Sequence, residues 1–228
     1  MLARAAVVLV GTANPENLGG VARLCANFGI ASLTLAAPRV AADDPRALVV
    51  GRMARERLAA TRVTATLAEA VADASCVVGF SARRGASRPT VTLTALGATL
   101  ATRAPSGTVA LVFGPEDSGL SAADVDRCDL VATIDLPGAL PSLNLTQAVA
   151  IALWELARAA EGSAPSPRAT ATHAELDALV AHAAEVLGGL DEGRRVHLRR
   201  VLGAAGLSPA DVRALHGLCD KLARTTTV

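Results

Sequence analysis

The chain has 228 residues, 51% of them hydrophobic and 19% charged, with a mean hydropathy of +0.40, which supplies apolar surface for a core and excludes a disordered chain. A formal net charge of +1 excludes a protein held to nucleic acid by bulk counterion release, and 2% aromatic content without tyrosine excludes recognition by rows of stacked rings. The length suits one full domain with a smaller annex rather than two equal domains.

Taken in chain order, the first apolar run, Val7 to Val10, reads as a buried strand, and Leu18, Val21, Cys25 and Phe28 form a helix stripe that stops at Gly29, a C-cap. Ser32 to Leu35, Cys76 to Phe80, Val109 to Phe113 and Leu130 to Asp135 continue the strand series, and their nearly unbroken apolar character points to a mostly parallel sheet. Ser121 with Asp124 marks a helix start, and a last helix from Leu143 to Ala160 buries Leu145, Val149, Ala152 and Leu156. Residues 1–160 therefore read as one α/β domain. The segment EGSAPSPR, 161–168, loses all periodicity and reads as a linker. Beyond it, 169–228 reads as a small all-helical extension. There Thr172 and Glu175 form a capping box before a stripe of Leu176, Leu179, Ala183 and Leu187, and Ser208, Pro209 and Asp211 start a helix striped by Val212, Leu215, Cys219 and Leu222.

Single residue types remove whole chemistries. Lys221 is the one lysine among 22 basic residues, so neither a Walker loop nor an aldimine lysine is available, whereas arginine suits bidentate phosphate contacts. Cys25, Cys76, Cys128 and Cys219 lie far apart without a CxxC pair, which fits buried thiols in a reducing compartment, the cytosol. His173, His182, His197 and His216 show no HExxH pattern, so no metal is expected. The run Ala5 to Val10 is too short for a signal-peptide core, and no stretch approaches the ~20 apolar residues of a membrane span.

Polar and glycine residues concentrate after three strands, and in an open parallel sheet such loops meet in one crevice at the strand carboxyl ends. The first is GTANPENLGGVAR, where Asn17 and Arg23 fall in the first turns of a helix, a setting that favours anions. The second is FGPEDSGLS, whose Glu116 can accept hydrogen bonds or orient a neighbour. The third is LPGALPSLNLTQAV, where Ser142 and Asn144 can each cap the next helix or meet a ligand; Ser142 reads first as the cap. Ser142 lies outside a GxSxG elbow, and Gly11 does not open a GxGxxG fingerprint, so a hydrolase and a Rossmann dinucleotide enzyme are both poor readings.

Together, NPENLGGVARLCANFG, LVFGPEDSGLS and SLNLTQAV resemble, in order and spacing, the three motifs of the SpoU/TrmH branch of the SPOUT methyltransferases. Within that branch VVLVGTANPENLGGVAR, VVGFSARRG and the helical tail are most similar to the tRNA (cytidine/uridine-2'-O-)-methyltransferases. The resemblance implies a SPOUT-type sheet with a C-terminal trefoil knot, S-adenosyl-L-methionine as cofactor, tRNA as partner, a homodimer, and methylation at position 32 of the anticodon loop. Other tRNA sites, ribosomal RNA, or a non-catalytic knotted RNA-binding protein are the alternatives. Carried over by motif, Arg23, Asn17, Glu116, Ser142 and Asn144 are catalytic positions, and Gly79, Phe80, Ser81, Gly114, Ile134, Pro141, Ser142 and Leu143 contact the cofactor. Phe80 stands where relatives often have a small hydroxyl residue, and Pro115 replaces a frequent basic residue. Arg23, Arg83 and Arg84 are the expected RNA contacts. Arg88 belongs to the same cluster, Arg52, Arg55, Arg57 and Arg62 form another that a solvated helix face explains as well, and Arg194, Arg195, Arg199 and Arg200, balanced by acids nearby, are the arginines with which the extension is expected to hold tRNA.

Overall fold

The computed structural model describes residues 2–81, 88–139, 142–160 and 170–225. Among these, the strands β1 (Ala5–Val10), β2 (Ser32–Ala36), β3 (Arg62–Thr64), β4 (Cys76–Phe80), β5 (Thr90–Thr92), β6 (Val109–Phe113) and β7 (Leu130–Thr133) form one sheet in the order β3-β2-β1-β6-β4-β7-β5. Every pairing is parallel, so all carboxyl ends open on one edge. The helices are α1 (Pro15–Asn27), α2 (Pro45–Val50), α3 (Arg55–Ala59), α4 (Leu67–Val71), α5 (Leu93–Arg103), α6 (Ala122–Asp126), α7 (Leu145–Ala160), α8 (His173–Val186), α9 (Glu192–Ala204) and α10 (Pro209–Thr225).

Alternation along each strand divides the core in two. Val7 and Leu9, Val78 and Phe80, and Leu111 and Phe113 face a layer containing Leu18, Val21, Leu96, Val149 and Leu153 of α1, α5 and α7. Val8, Val77, Ala110 and Val112 face the other side, with Leu67 and Val71 of α4. Each fully buried Leu or Val contributes on the order of 1.5–3 kcal/mol, which is why the central strands read as continuous apolar runs. At the start of α1 the side-chain oxygen of Asn14 accepts from the Glu16 and Asn17 amides at 2.8 and 3.2 Å. At its end Gly29 adopts a left-handed φ of +62°, and the Ile30 amide reaches back to the Cys25 carbonyl at 2.9 Å.

Several expectations need correction. Leu130 to Asp135 shortens to β7, which ends at Thr133, and the edge strands β3 and β5 carry too few apolar residues to signal themselves. The last helix of the domain starts at Leu145 rather than Leu143, because Asn144 supplies the cap: its Oδ1 accepts from the Thr146 amide at 2.9 Å while Gln147 Oε1 accepts from the Asn144 amide at 3.2 Å. Ser142 is therefore not the cap. On α8 the capping box forms as expected, but the buried stripe is His173, Leu176, Leu179, Val180 and Ala184, and Leu187 is 61% exposed. On α10 Val212 alone is buried among the described residues, and Leu222 is exposed. The expected linker 161–168 lies outside the described residues.

The three last helices bundle around Leu176, Leu179 and Val212 and fasten to the amino ends of the strands. The His173 and Ala174 amides donate to the Ala74 and Ala72 carbonyls at 2.6 and 2.9 Å, and Ser75 Oγ donates to the Thr170 carbonyl at 3.1 Å. Asp129, just before β7, accepts from the Val77 amide at 2.8 Å and meets His173 Nε2 at 2.6 Å and Arg199 Nη1 at 3.5 Å. Among the described residues no helix is long and apolar enough to cross a membrane.

Candidate active site

A cavity of about 280 Å³ opens at the carboxyl ends of β4, β6 and β7, lined by apolar side chains below and polar loop residues above. Its wall follows from the loop after β6. There Gly114 lies so close to the returning chain that a Cβ would meet Gly119 and Leu120 backbone atoms at 2.3 Å, so only glycine lets the turn fold over the strand end.

Glu116 gathers the first two motif loops. Its carboxylate accepts from Thr12 Oγ1 at 2.9 Å, Asn17 Nδ2 at 3.0 Å, and the Ala13 and Asn14 amides at 3.3 and 3.4 Å. Burial pushes this carboxyl up, but the donors, Asn17 foremost, outweigh it and hold it below the usual carboxylate range. An ionised carboxylate only accepts, so Asn17 must present its NH₂ there and turn its Oδ1 outward. That oxygen accepts from Asn144 Nδ2 at 3.0 Å and Thr146 Oγ1 at 3.3 Å, which brings in the third loop. Helix α1 can approach α7 this closely because a Cβ on Gly20 would meet Thr146 at 2.9 Å. One chain of hydrogen bonds thus joins segments 99 and 127 residues apart.

Of the expected cofactor contacts, Phe80, Ser81, Gly114, Ile134, Ser142 and Leu143 line the cavity. Gly79 alternates to the opposite sheet face, where a Cβ would meet Cys128 Sγ. Pro141, Arg83 and Arg84 lie outside the described residues. Arg23 is exposed six residues beyond Asn17 and lines a separate groove with Val49, Arg52, Met53 and Arg55. Arg88 is not an outward contact: its guanidinium turns inward to the Val125 and Asp126 carbonyls at the end of α6. In the second cluster, Arg57 donates to the Ala31 carbonyl and Arg62 to that of Glu69. Arg199 is likewise turned inward, to Asp129 and Asp177. Thr12 and Thr146 belong to the network although the sequence reading assigns them no role; the signal for Thr12 is a polar residue soon after a buried strand. The Cys25 thiol, pushed up to about 12 by burial, is no nucleophile.

The model of the SpoU rRNA Methylase family matches residues 4–154. The chain belongs to that family. Among its relatives, the tRNA (cytidine/uridine/adenosine-2'-O-)-methyltransferase TrmJ of Pseudomonas aeruginosa is 33% identical over 96% of this chain and 93% of its own length. The crystal structure of TrmJ from Z. mobilis superposes with a TM-score of 0.81 at 31% identity, covering 96% of this chain and 98% of that one. A solved structure concerned with the 2-OH methylation of C/U34 on tRNA gives a TM-score of 0.57 at 29% identity, over 70% of this chain and 97% of the other. In this SpoU-family methylase, the hydrogen-bonded chain Glu116–Asn17–Asn144 is the place where all three family motifs converge.

Proposed function

We propose that the protein transfers the methyl group of S-adenosylmethionine to a ribose 2'-hydroxyl of cytidine or uridine in tRNA. The observation that carries the reading is the convergence of the three motif loops through Glu116, Asn17 and Asn144 beside a cavity at the strand carboxyl ends. The cavity suits the cofactor: Phe80, Ile134, Leu136 and Leu143 offer an apolar bed, and Ser81 and Ser142 polar contacts. When bound, the cofactor supplies an electrophilic methyl on a sulfonium. The chain's own part is to aim the hydroxyl at it from ~3 to 3.5 Å; in this reading Ser142, exposed at the rim, does that work and Asn144, bonded to Asn17, holds the loop that carries it. Position 32 of the anticodon loop is the target carried over by resemblance, and the neighbour concerned with C/U34 supports the wobble position as a second reading.

The active unit in this reading is a cytoplasmic homodimer with a trefoil knot in its sheet domain. Arg23 stands outside the cavity of its own chain, and Trp154 on α7 is 58% exposed with Ile151 beside it. In this reading the subunits pair along α7, which would cover Trp154 and Ile151, and Arg23 acts at the cavity of the partner subunit, where its guanidinium would clamp a phosphate next to the reacting ribose. The test is incubation of purified protein with S-adenosylmethionine and tRNA, followed by nucleoside mass spectrometry. Cofactor-dependent ribose methylation of an anticodon-loop pyrimidine is expected, and its absence, or methylation of ribosomal RNA alone, overturns the reading. Sedimentation of an active monomer would overturn the dimer.

A further inference from the structure

The chain holds only three phenylalanines, and two of them, Phe80 and Phe113, are ladder partners at the carboxyl ends of β4 and β6. Both line the cavity, and both are nearly buried. Their rings lie almost parallel, 9° apart, with centroids separated by 4.4 Å. Such a stack leaves an electron-rich outer face, the negative pole of the ring quadrupole, which attracts a desolvated cation within ~6 Å of the centroid.

The cavity's two carboxylates are otherwise engaged. Glu116 accepts from Thr12, Ala13, Asn14 and Asn17. Asp117 faces Arg39 and accepts from Ser118 at 2.9 Å. Glu116 keeps its charge among four neutral donors, with its oxygens turned to them, so the aromatic faces are the short-range feature of the cavity floor that tells a charged sulfonium from a neutral thioether of almost the same shape.

We propose that Phe80 and Phe113 form a subsite for the sulfonium, so that the pocket prefers the methyl donor to its demethylated product. The inference rests on the cofactor reading given above. Methyl transfer breaks the bond from sulfur to methyl carbon, with the electron pair staying on sulfur, forms the bond from ribose oxygen to that carbon, releases the hydroxyl proton to solvent, and leaves sulfur uncharged. The attraction to the rings then disappears at the moment the product must leave.

Titration calorimetry on the intact protein tests this with three ligands: S-adenosylmethionine, S-adenosylhomocysteine, and the amine analogue that carries an ammonium in place of the sulfonium. Phe80→Leu should weaken the two cationic ligands about tenfold, equal to 1.4 kcal/mol, and leave the thioether within about twofold. Phe80→Tyr, which keeps the ring, should retain the wild-type ratio. Phe113→Leu repeats the measurement from the other strand, so that failure of one variant to fold leaves a second. Equal weakening of all three ligands, or no weakening, overturns the subsite while leaving the cofactor reading intact. A wild-type protein that binds none of the three overturns both.

Discussion

At the residue scale, the site turns on which way Asn17 points, and charge decides it. An ionised Glu116 can only accept, so the Asn17 amide donates to it and its oxygen is left for Asn144. Glu116→Gln lets the new amide donate as well as accept and removes that bias. The expected result is a kcat/KM lower by on the order of 10²-fold, as for a reacting group misplaced by about 1 Å, with the affinity for S-adenosylmethionine within about threefold. The pH dependence has a definite sign. Because its native pKa lies below the unfolded value of ~4.3, Glu116 stabilises the fold fully above that value and loses its contribution as pH falls through the native one. Urea unfolding should thus show a constant gap between wild type and Glu116→Gln from pH 7 to about 5, closing below about 4; a gap that widens on acidification contradicts the assignment. Arg23 carries a separate expectation. A guanidinium is a poor base at neutral pH but a good phosphate clamp, so Arg23→Lys should keep measurable single-turnover methylation while Arg23→Ala loses nearly all of it at unchanged cofactor affinity. Complete inactivity of both, with RNA binding intact, would favour proton abstraction by arginine instead.

At the scale of elements, legibility in the sequence tracks burial. Cys76 to Phe80 and Val109 to Phe113 are readable to the residue because both faces of these strands are covered, whereas β3 and β5 at the sheet edges, three residues each, carry no such run. Helix α9 has no buried residue, so Val196, Leu198, Val201 and Leu202 give no core-facing stripe among its charges. The Asp129 clasp is hidden for a different reason: His173, Arg199 and Asp129 are distant in sequence, and buried ion pairs have no periodicity. Burial pushes the Asp129 carboxyl up, and His173, Arg199 and the Val77 amide hold it down. Asp129→Ala would leave the Val77 amide and His173 Nε2 without their buried partner, while Arg199 keeps Asp177, and should cost about 1–3 kcal/mol per stranded group in urea unfolding. Asp129→Asn keeps an acceptor for the Val77 amide and should cost less. Equal, negligible losses would mean that the extension is held by its apolar contacts alone.

At the scale of the whole molecule, the two ends of the sheet carry different structures. The cavity occupies the carboxyl ends of the strands and the helical extension the amino ends, separated by the ~16 Å that five strand residues span. Arg199 serves the clasp, leaving Arg194, Arg195 and Arg200 as the other arginines of α9, with Glu192 at its start. If these three hold tRNA, they do so far from the methyl-transfer site of their own subunit, and they must act on binding rather than on chemistry. Reversing those three arginines to glutamate should raise KM for full-length tRNA about tenfold or more near 150 mM salt and lower the salt slope by about one for each phosphate that is no longer neutralised. The kcat at saturation and the affinity for S-adenosylmethionine should stay as in the wild type. A stem-loop restricted to the anticodon arm, which lacks the tRNA body that would lie along the extension, should be methylated equally by both proteins. Unchanged KM for full-length tRNA would remove the extension from RNA binding, and an equal loss on the short stem-loop would place α9 beside the reacting nucleotide.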